Sequence, residues 1–455
     1  MSKCPHCGAE FEYDVKSQLV HCDYCGSDFN PTELKDEKKG AKKEDLEGKC
    51  YSCTQCGATL LTFDETAVTF CSYCGSQNMI EEKMIKQNAP DVIIPFTKTQ
   101  EECIKNYKNK ISSSLFCPNY MKDDLIVKKF RGIFMPYGIY KMGFHGDSVN
   151  KGELYSHTTM SYKYYDKYDL HAKIDATYDG ISYDLISKFY DDYSHAIPFN
   201  YKEAVPFKTS YLPGFYADTK DVDAETYVGP AALMCFNDST KYLKTKKEYA
   251  KYGCDQPTIG FTSEEKKYGM FPVYFLATKD KKNENLYYAI INGQTGKVAA
   301  DLPVSFIKYI IISLILSIPI FLLLIGLPTI IPTYICIFAI VMAIIAWAIC
   351  AGQIRACNNR YKRIDDKGFY ADPKKEIIKD KYKMSFKYWW KLLLAIIIPF
   401  IPVFVDLVDD YYSYGAASIS LFLILLSFFD LVKIHNLLVS RPIPQLEKRG
   451  GDENE

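Results

Sequence analysis

Cysteines with a regular spacing stand at the front of the chain. They form four Cys-x-x-Cys pairs, and every cysteine of the last two pairs lies 49 positions after its counterpart in the first two. The neighbouring residues repeat as well: Tyr24 corresponds to Tyr73, and Gly26 corresponds to Gly75. The pattern therefore indicates an internal duplication. The eight cysteines are Cys4, Cys7, Cys22, Cys25, Cys53, Cys56, Cys71 and Cys74.

This spacing suits metal binding. Two cysteines separated by two residues present both thiolates to one ion, and two such knuckles complete a tetrahedral Cys4 site of the kind that binds zinc. A unit of about 25 residues buries too little apolar surface to fold alone, so the metal would supply folding free energy. We therefore predict two structural zinc ions in two zinc ribbons. The alternative is that these cysteines form disulfides or serve redox chemistry.

Cys50 adds a third step to the spacing, since it precedes Cys53 by three positions. No cysteine corresponds to it in the 49-residue repeat, so we predict that it is not a ligand, with ligand exchange as the alternative. A glycine follows the second cysteine of every pair and allows a positive φ in the turn.

The cysteine units belong to a chain of 455 residues, which leaves room for several domains. We predict a multidomain protein with two small β zinc ribbons, a soluble α+β domain and α-helical transmembrane hairpins. The predicted segments are ribbon one at 1–30, a charged linker at 31–49, ribbon two at 50–80, the α+β domain at 90–303, transmembrane hairpin one at 304–353, a basic cytoplasmic loop at 354–388, transmembrane hairpin two at 389–434 and a polar C-terminal tail at 435–455.

Within the α+β domain, short β-branched and aromatic runs between turn signals predict strands, including a tyrosine-rich tract from Leu154 to Tyr178. The runs on either side of Asp280–Asn285 predict a hairpin. Helices are predicted over Glu101–Ser112 and Asp221–Tyr227.

Four apolar segments predict membrane spans, because about 20 apolar residues cross a bilayer. The first two are joined by a very short turn, and the last contains Asp430. A buried core helix is the alternative for each segment. The segments are Phe306–Ile325, Thr329–Ala351, Trp389–Val408 and Ala416–Val432.

The charge of the loops between the predicted spans predicts the orientation of the protein in the membrane. The segment from Arg355 to Lys391 carries twelve basic and five acidic side chains, and the opposite loops contain no Lys or Arg. Positive loops stay in the cytoplasm. We therefore predict a multi-pass cell-membrane protein with both termini cytoplasmic, a compartment that keeps cysteines reduced. The basic loop could also bind anionic lipid headgroups.

The ribbons themselves are not basic. Ribbon one contains two lysines against five acidic side chains, and ribbon two contains no Lys or Arg. Nucleic-acid binding depends on basic side chains, so we predict protein contacts instead. No phosphate loop, nucleophile elbow or catalytic carboxylate pair is recognisable, which predicts a protein without enzymatic activity. Asp406 and Asp430 leave ion or proton translocation as an alternative.

Several sequence motifs resemble those of a family of bacterial membrane proteins with N-terminal zinc ribbons of the transcription-factor-IIB type. Besides the second cysteine set, they are Ile94-Pro95-Phe96, Phe134-Met135-Pro136-Tyr137, Val205-Pro206-Phe207, Tyr211-Leu212-Pro213-Gly214-Phe215-Tyr216-Ala217-Asp218 and Asn292-Gly293-Gln294-Thr295-Gly296. The resemblance covers roughly residues 50–330. It implies no established activity, and some relatives are similar to membrane anchors that work with band-7-type or envelope-stress proteins. This chain departs from the family pattern in its duplicated ribbon and second hairpin.

Together these features predict a cytosol-facing membrane scaffold that recruits protein partners through its zinc ribbons. One alternative is a transport or lipid-handling protein that the ribbons regulate. The other is a membrane-tethered nucleic-acid binder.

Overall fold

The structure is a computed structural model. It describes residues 3–34, 45–63, 68, 70–82, 85–160, 162–186, 189, 191–252, 257–279, 286–325, 331–363, 386–404 and 410–440. Asp406 and most of the predicted linker, basic loop and C-terminal tail lie outside these residues. The described chain forms a small β-sheet with a cysteine cluster, a larger domain of strands and helices with a second cluster, and a C-terminal helical region.

Ribbon one is a three-stranded antiparallel sheet in which the strands follow chain order. The middle strand pairs with both neighbours, and its Val20 and Cys22 are fully buried. The strands are β1 (Glu12–Asp14), β2 (Leu19–Cys22) and β3 (Ser27–Phe29).

The remaining described strands join one large sheet, with order β11-β8-β13-β9-β12-β5-β4-β6 and side branches β10, β14, β15 and β7. The strands are β4 (Asp45–Cys53), β5 (Thr59–Thr62), β6 (Met79–Glu81), β7 (Ile85–Asn88), β8 (Val92–Ile93), β9 (Arg131–Thr158), β10 (Lys163–Asp184), β11 (Val205–Pro206), β12 (Tyr216–Asp218), β13 (Thr262–Lys279), β14 (Leu286–Asn292) and β15 (Val298–Ala300).

Ribbon two, which is predicted as a separate segment, is part of this large sheet. Its strand β5 pairs with β12, and β12 pairs with β9. Strands β5 and β12 are about 150 residues apart in the chain, so neither spacing nor local periodicity indicates their pairing. The sheet thus extends from the domain core into the second cysteine unit.

The tyrosine-rich tract forms a long hairpin. Strand β10 pairs with β9 from Lys163 opposite Thr158 to Asp184 opposite Tyr137. The other edge of β9 pairs with β13 between Arg131 and Gly143. The predicted hairpin around 280–285 is confirmed by the pairing of β13 with β14. Its turn residues lie outside the described part of the chain.

The predicted helix over Glu101–Ser112 is confirmed as α1 (Gln100–Ser113), where Thr99 and Glu102 form a capping box. The helix predicted over Asp221–Tyr227 is wrong in extent: a 3-10 turn spans Ala224–Tyr227, and the α-helix follows it. Pro230 in the first turn does not break that helix, because its backbone nitrogen needs no partner there. The other helices of this domain are α2 (Asp124–Val127), α3 (Asp191–Ala196), α4 (Val228–Leu243) and α5 (Lys247–Lys251).

The C-terminal region is helical. In the described residues two helical stretches, Thr333–Ala356 and Tyr411–Val439, are long and apolar enough to span a membrane, with mean hydropathy 2.7 and 2.1. The apolar parts of the other two helices, Phe306–Ile315 and Trp389–Phe404, are shorter. Within the described residues, two of the four predicted spans therefore meet this criterion. The helices are α6 (Phe306–Ile325), α7 (Pro332–Arg363), α8 (Phe386–Phe404) and α9 (Asp410–Val439).

Candidate metal centres and the segment between them

The eight predicted cysteines come together as two groups of four. In each group the sulfur atoms lie within 4.8 Å of one another. In ribbon one, Cys4 Sγ lies 3.6 Å from Cys25 Sγ, and Cys7 Sγ lies 3.6 Å from Cys22 Sγ. Zn–S bonds of about 2.3 Å in a tetrahedron place sulfurs roughly 3.7 Å apart, whereas a disulfide needs about 2.05 Å. The groups therefore fit a metal ion each and do not fit disulfides.

Ribbon two has the same geometry. Cys53 Sγ lies 3.5 Å from Cys74 Sγ, and Cys56 Sγ lies 3.6 Å from Cys71 Sγ. Cys50 is buried on β4 opposite Leu61 and is not a member of this group of four sulfurs. The separation of Cys50 from the cluster agrees with the 49-residue repeat.

The backbone explains why the sequence folds into knuckles. The glycine after the second cysteine of each pair has a positive φ between 66° and 76° at Gly8, Gly26, Gly57 and Gly75. Each of these glycines donates its N–H to the carbonyl of the first cysteine, at 2.8 or 2.9 Å. A side chain at such a φ costs free energy, which favours glycine at these positions.

The two centres differ in their exposure. In ribbon one, Cys7 and Cys25 are exposed, whereas all four cysteines of ribbon two are buried. The Cys25 sulfur lies 3.3 Å from Ser27 Oγ, and this contact with Ser27 lowers the pKa of Cys25 to about 6. A lowered pKa favours the thiolate, which is the form that binds metal.

One segment contacts both ribbons. Residues 208–219, here called the bridging segment, contain the phrase Tyr211–Asp218 and include β12. Towards ribbon one, Tyr13 donates its backbone N–H to the Pro213 carbonyl at 3.3 Å, and the Tyr13 and Tyr211 rings lie 5.3 Å apart. Ser210 Oγ donates to the Pro31 carbonyl at 3.0 Å. Ribbon one is thus fixed against the larger domain.

Towards ribbon two, the bridging segment supplies a strand and a carboxylate. Ala217 and Asp218 pair with Leu61 and Leu60 of β5. The Tyr73 hydroxyl donates a hydrogen bond to Asp218 Oδ2, and both residues are buried. Burial and then the Asp218 charge raise the pKa of Tyr73 well above its usual value. Phe215 of the bridging segment also stacks on Phe96, with ring centroids 4.1 Å apart.

The duplicated tyrosines have opposite environments. Tyr73 is 1% exposed, whereas Tyr24, its counterpart in ribbon one, is 83% exposed. His21 Nδ1 lies 2.7 Å from Asp28 on the same ribbon, and its Nε2 lies 3.6 Å from Asp23. The exposed surface of ribbon one therefore combines an aromatic side chain, two cysteines of the candidate metal centre and acidic groups.

The helical region contains a partly buried ion pair that links α8 to α9. Lys391 Nζ lies 2.7 Å from Asp430 Oδ2, and their side chains are 20% and 10% exposed. The partner expected from sequence spacing, Lys433, lies at 4.0 Å and is 71% exposed. Asp430 of α9 therefore has an ion-pair partner on the neighbouring helix α8. Its partner Lys391 is the last basic residue of the charge-rich segment.

Sequence reasoning did not identify Asp218 or the bridging segment as the structural link between the ribbons. The sequence feature that could have indicated it is the unusually specific motif Tyr211–Asp218. Its role depends on contacts with strands more than 140 residues earlier in the chain, which only the tertiary fold reveals.

The comparisons with known proteins give one distant relative. The chain is 26% identical over 315 residues to the uncharacterized protein YdjG of Bacillus subtilis (strain 168), a match that covers 67% of this chain and 90% of the relative. No family model matches the chain. No solved structure matches it either.

Proposed function

We propose that this protein is a membrane-anchored adaptor that recruits a cytosolic protein through the exposed surface of ribbon one. Each ribbon would hold one structural zinc ion. In this proposal ribbon two and the bridging segment hold ribbon one in a fixed position, and ribbon one presents the binding surface.

The observation that supports this division of roles is the contrast between Tyr24 and Tyr73. The Tyr73 knuckle is covered by the chain's own bridging segment, whereas the equivalent Tyr24 is 83% exposed. A large exposed tyrosine on a rigid scaffold is a typical anchor for a protein partner, because it offers contact area at a small cost in side-chain entropy. The duplication thus leaves one copy of the same surface available.

Charge favours a protein partner over nucleic acid. Ribbon one has two lysines against five acidic side chains, and each Zn(Cys)4 centre would add a formal charge of about −2. Phosphate backbones are bound by basic side chains, so an acidic ribbon would repel them. A partner with a basic or neutral docking surface fits better, and the family resemblance suggests band-7-type or envelope-stress membrane proteins as candidates.

The membrane part of the proposal depends on the two helices that are long and apolar enough to span. Orientation depends on the basic segment between Arg355 and Lys391. A cytoplasmic location would also keep the eight cysteines reduced for metal binding. We propose that both termini face the cytoplasm in a multi-pass arrangement.

The test is co-purification from gently solubilised membranes, followed by mass spectrometry. It compares the native chain with Tyr24→Ala, with the metal-ligand variant Cys4→Ser/Cys22→Ser, and with Tyr242→Ala. The last is a matched control, because Tyr242 is 61% exposed but lies on α4. We expect the same cytosolic protein to be lost from the first two variants and retained by the control. Equal recovery from all four proteins would contradict the proposal.

A transport protein regulated by its ribbons remains the second proposal, and its test is separate. Asp406→Asn would abolish transport and leave recruitment unchanged. Nucleic-acid binding is the alternative that the charge of the ribbons disfavours, and salt-sensitive DNA binding that the Cys4→Ser/Cys22→Ser variant loses would support it.

A further inference from the structure

The outer edge of β10 offers backbone hydrogen-bonding groups to another strand. β10 pairs with β9 along one edge. Among the described residues, no strand pairs with its other edge between Lys163 and Asp179. The regular stretch ends at Gly180, where the pairing of β10 with β9 shifts its register between Asp179 and Ile181. Long open edges are the part of a sheet that most readily pairs with a further strand.

A second copy of β10 can meet this edge in an antiparallel arrangement with two-fold symmetry. Alternate residues of a strand direct their backbone groups to the same edge, so residues that face each other must be separated by an even number of positions. The two-fold axis must therefore lie midway between the two copies of one residue, which face each other across it; an axis is named below by that residue. This requirement leaves a small number of registers, which the charged residues of β10 can distinguish.

The charges along β10 have opposite signs on either side of His171. Two positions away are Asp169 and Lys173, four positions away are Lys167 and Asp175, and eight positions away are Lys163 and Asp179. Asp166 is the other charged side chain in this stretch, and its position faces Ala176. An axis at His171 thus places every lysine of the stretch opposite an aspartate of the other copy.

Every neighbouring register creates repulsion. An axis at residue 166, 167, 169, 173 or 175 makes one charged residue face its own copy. Axes at 168 and 170 place Lys173 opposite another lysine, and axes at 172 and 174 place Asp169 opposite another aspartate. Like charges directly opposite each other destabilise a strand pair, whereas opposite charges stabilise it. Of the ten axes from 166 to 175, only the one at His171 avoids like charges.

We propose that the protein forms a two-fold dimer in which the β10 strands of two copies pair antiparallel around His171. This inference is independent of the proposed recruitment function. The occupant of the open edge is a second copy, because the charge order of the strand is complementary to itself.

The even-numbered residues support the same register. It places Tyr168 opposite Ile174 and Leu170 opposite Ala172, which are favourable aromatic–aliphatic and aliphatic pairs. Tyr164 and Tyr168 are 46% and 38% exposed in one copy. In the dimer they come to lie beside the part of the partner's strand that packs against α4.

The charged side chains are free to form these pairs. Within one copy, Lys167 Nζ lies 3.9 Å from Glu153, and the two side chains are 80% and 53% exposed. Asp175 contacts His145 but remains 84% exposed. Exposed pairs of this kind are weak, so these groups can also interact with a partner on their other side.

The test uses charge reversal in the full-length protein in detergent, with mass measured by light scattering. One variant is Lys163→Glu/Lys167→Glu/Lys173→Glu, and the other is Asp169→Lys/Asp175→Lys/Asp179→Lys. We expect the native protein to be dimeric, each variant alone to have half that protein mass, and an equimolar mixture of the two to recover the dimer. The mixture also shows that both variants are folded at the edge.

A matched control carries the same change of charge elsewhere. Lys105→Glu/Lys110→Glu/Lys128→Glu alters three exposed lysines on and near α1 and should remain dimeric. A monomeric native protein, dimers of either variant alone, or a mixture that stays monomeric would each overturn the proposal.

Discussion

The hydroxyl of Tyr73 donates a hydrogen bond to the carboxylate of Asp218, which lies 145 positions later in the chain. Asp218 is fully buried and also accepts the N–H of Thr219 at 2.7 Å. A buried carboxylate needs such donors, because the unpaired group would carry a large desolvation cost. This contact joins the cysteine knuckle of ribbon two to strand β12, which lies between β9 and β5 in the large sheet.

We predict that Tyr73→Phe destabilises the protein by about 2 kcal/mol, since it leaves a buried charged acceptor without one donor. The matched change Tyr24→Phe should alter stability by less than about 0.5 kcal/mol, because an exposed hydroxyl keeps its water. Chemical denaturation of the full chain, followed by near-ultraviolet circular dichroism, measures both. Equal effects of the two substitutions would show that the hydrogen bond between Tyr73 and Asp218 does not stabilise the fold.

Zinc should leave the two centres at different rates. Two sulfurs of ribbon one are exposed, and all four of ribbon two are buried. A chelator can approach ribbon one directly, whereas release from ribbon two requires local opening of the sheet. We predict two zinc ions per chain and biphasic transfer to a chromogenic chelator. The Cys4→Ser/Cys22→Ser variant should lack the fast phase and contain one ion, and loss of the slow phase instead would refute the assignment.

The contacts of His145 make part of the hairpin's stability depend on pH. Its Nε2 lies 3.0 Å from Glu264 on β13, and its Nδ1 lies 2.6 Å from Asp175 on β10. These two carboxylates raise the pKa of His145 above its usual value of about 6.5. The stabilisation that these contacts give the folded protein is thus complete below the pKa that His145 has in the unfolded chain. It is lost as the pH rises through the higher pKa that His145 has in the folded protein.

We therefore expect His145→Gln to lower the melting temperature near pH 5.5 and to have a smaller effect above pH 8. Thermal unfolding across this range measures the difference, with His157→Gln as the control, because His157 is an exposed histidine near the hairpin tip. If the loss of melting temperature caused by His145→Gln grew with pH, the predicted direction of the pH dependence would be wrong.

Lys391 and Asp430 should behave as a coupled pair. Removing one partner leaves the other charge partly buried, so Lys391→Met and Asp430→Leu should each destabilise the helical region by about 3 kcal/mol. The double variant should be within about 1 kcal/mol of the native protein. Unfolding in mixed detergent measures this double-mutant cycle, and additive losses would show that the pair does not interact.

Local features were predictable from the sequence. The knuckles have short-range geometry set by cysteine and glycine spacing, and α1 has a capping box within four residues. The pairing of β5 with β12 was not predictable, because it joins segments about 150 residues apart. The helix α4 was placed too early, since Gly229 and Pro230 resemble a helix stop when they stand in its first turn. Non-local pairing and context-dependent prolines explain these differences.

The metal ligands of the candidate site were predictable from the sequence, but the difference in exposure between the two ribbons was not. The 49-residue repeat makes Tyr24 and Tyr73 equivalent, and nothing near either residue indicates which one is covered. Asp218 and the bridging segment decide this, and they are distant in sequence from both ribbons.

The most direct test of the central claim is photo-crosslinking from position 24 in living cells. Tyr24 is replaced by p-benzoylphenylalanine, and the same replacement at the exposed Tyr242 serves as the control. The account predicts a specific crosslink to a cytosolic protein from position 24 only, which disappears when Cys4→Ser/Cys22→Ser is added. A crosslink that forms equally at both positions, or none at position 24, would contradict recruitment through ribbon one.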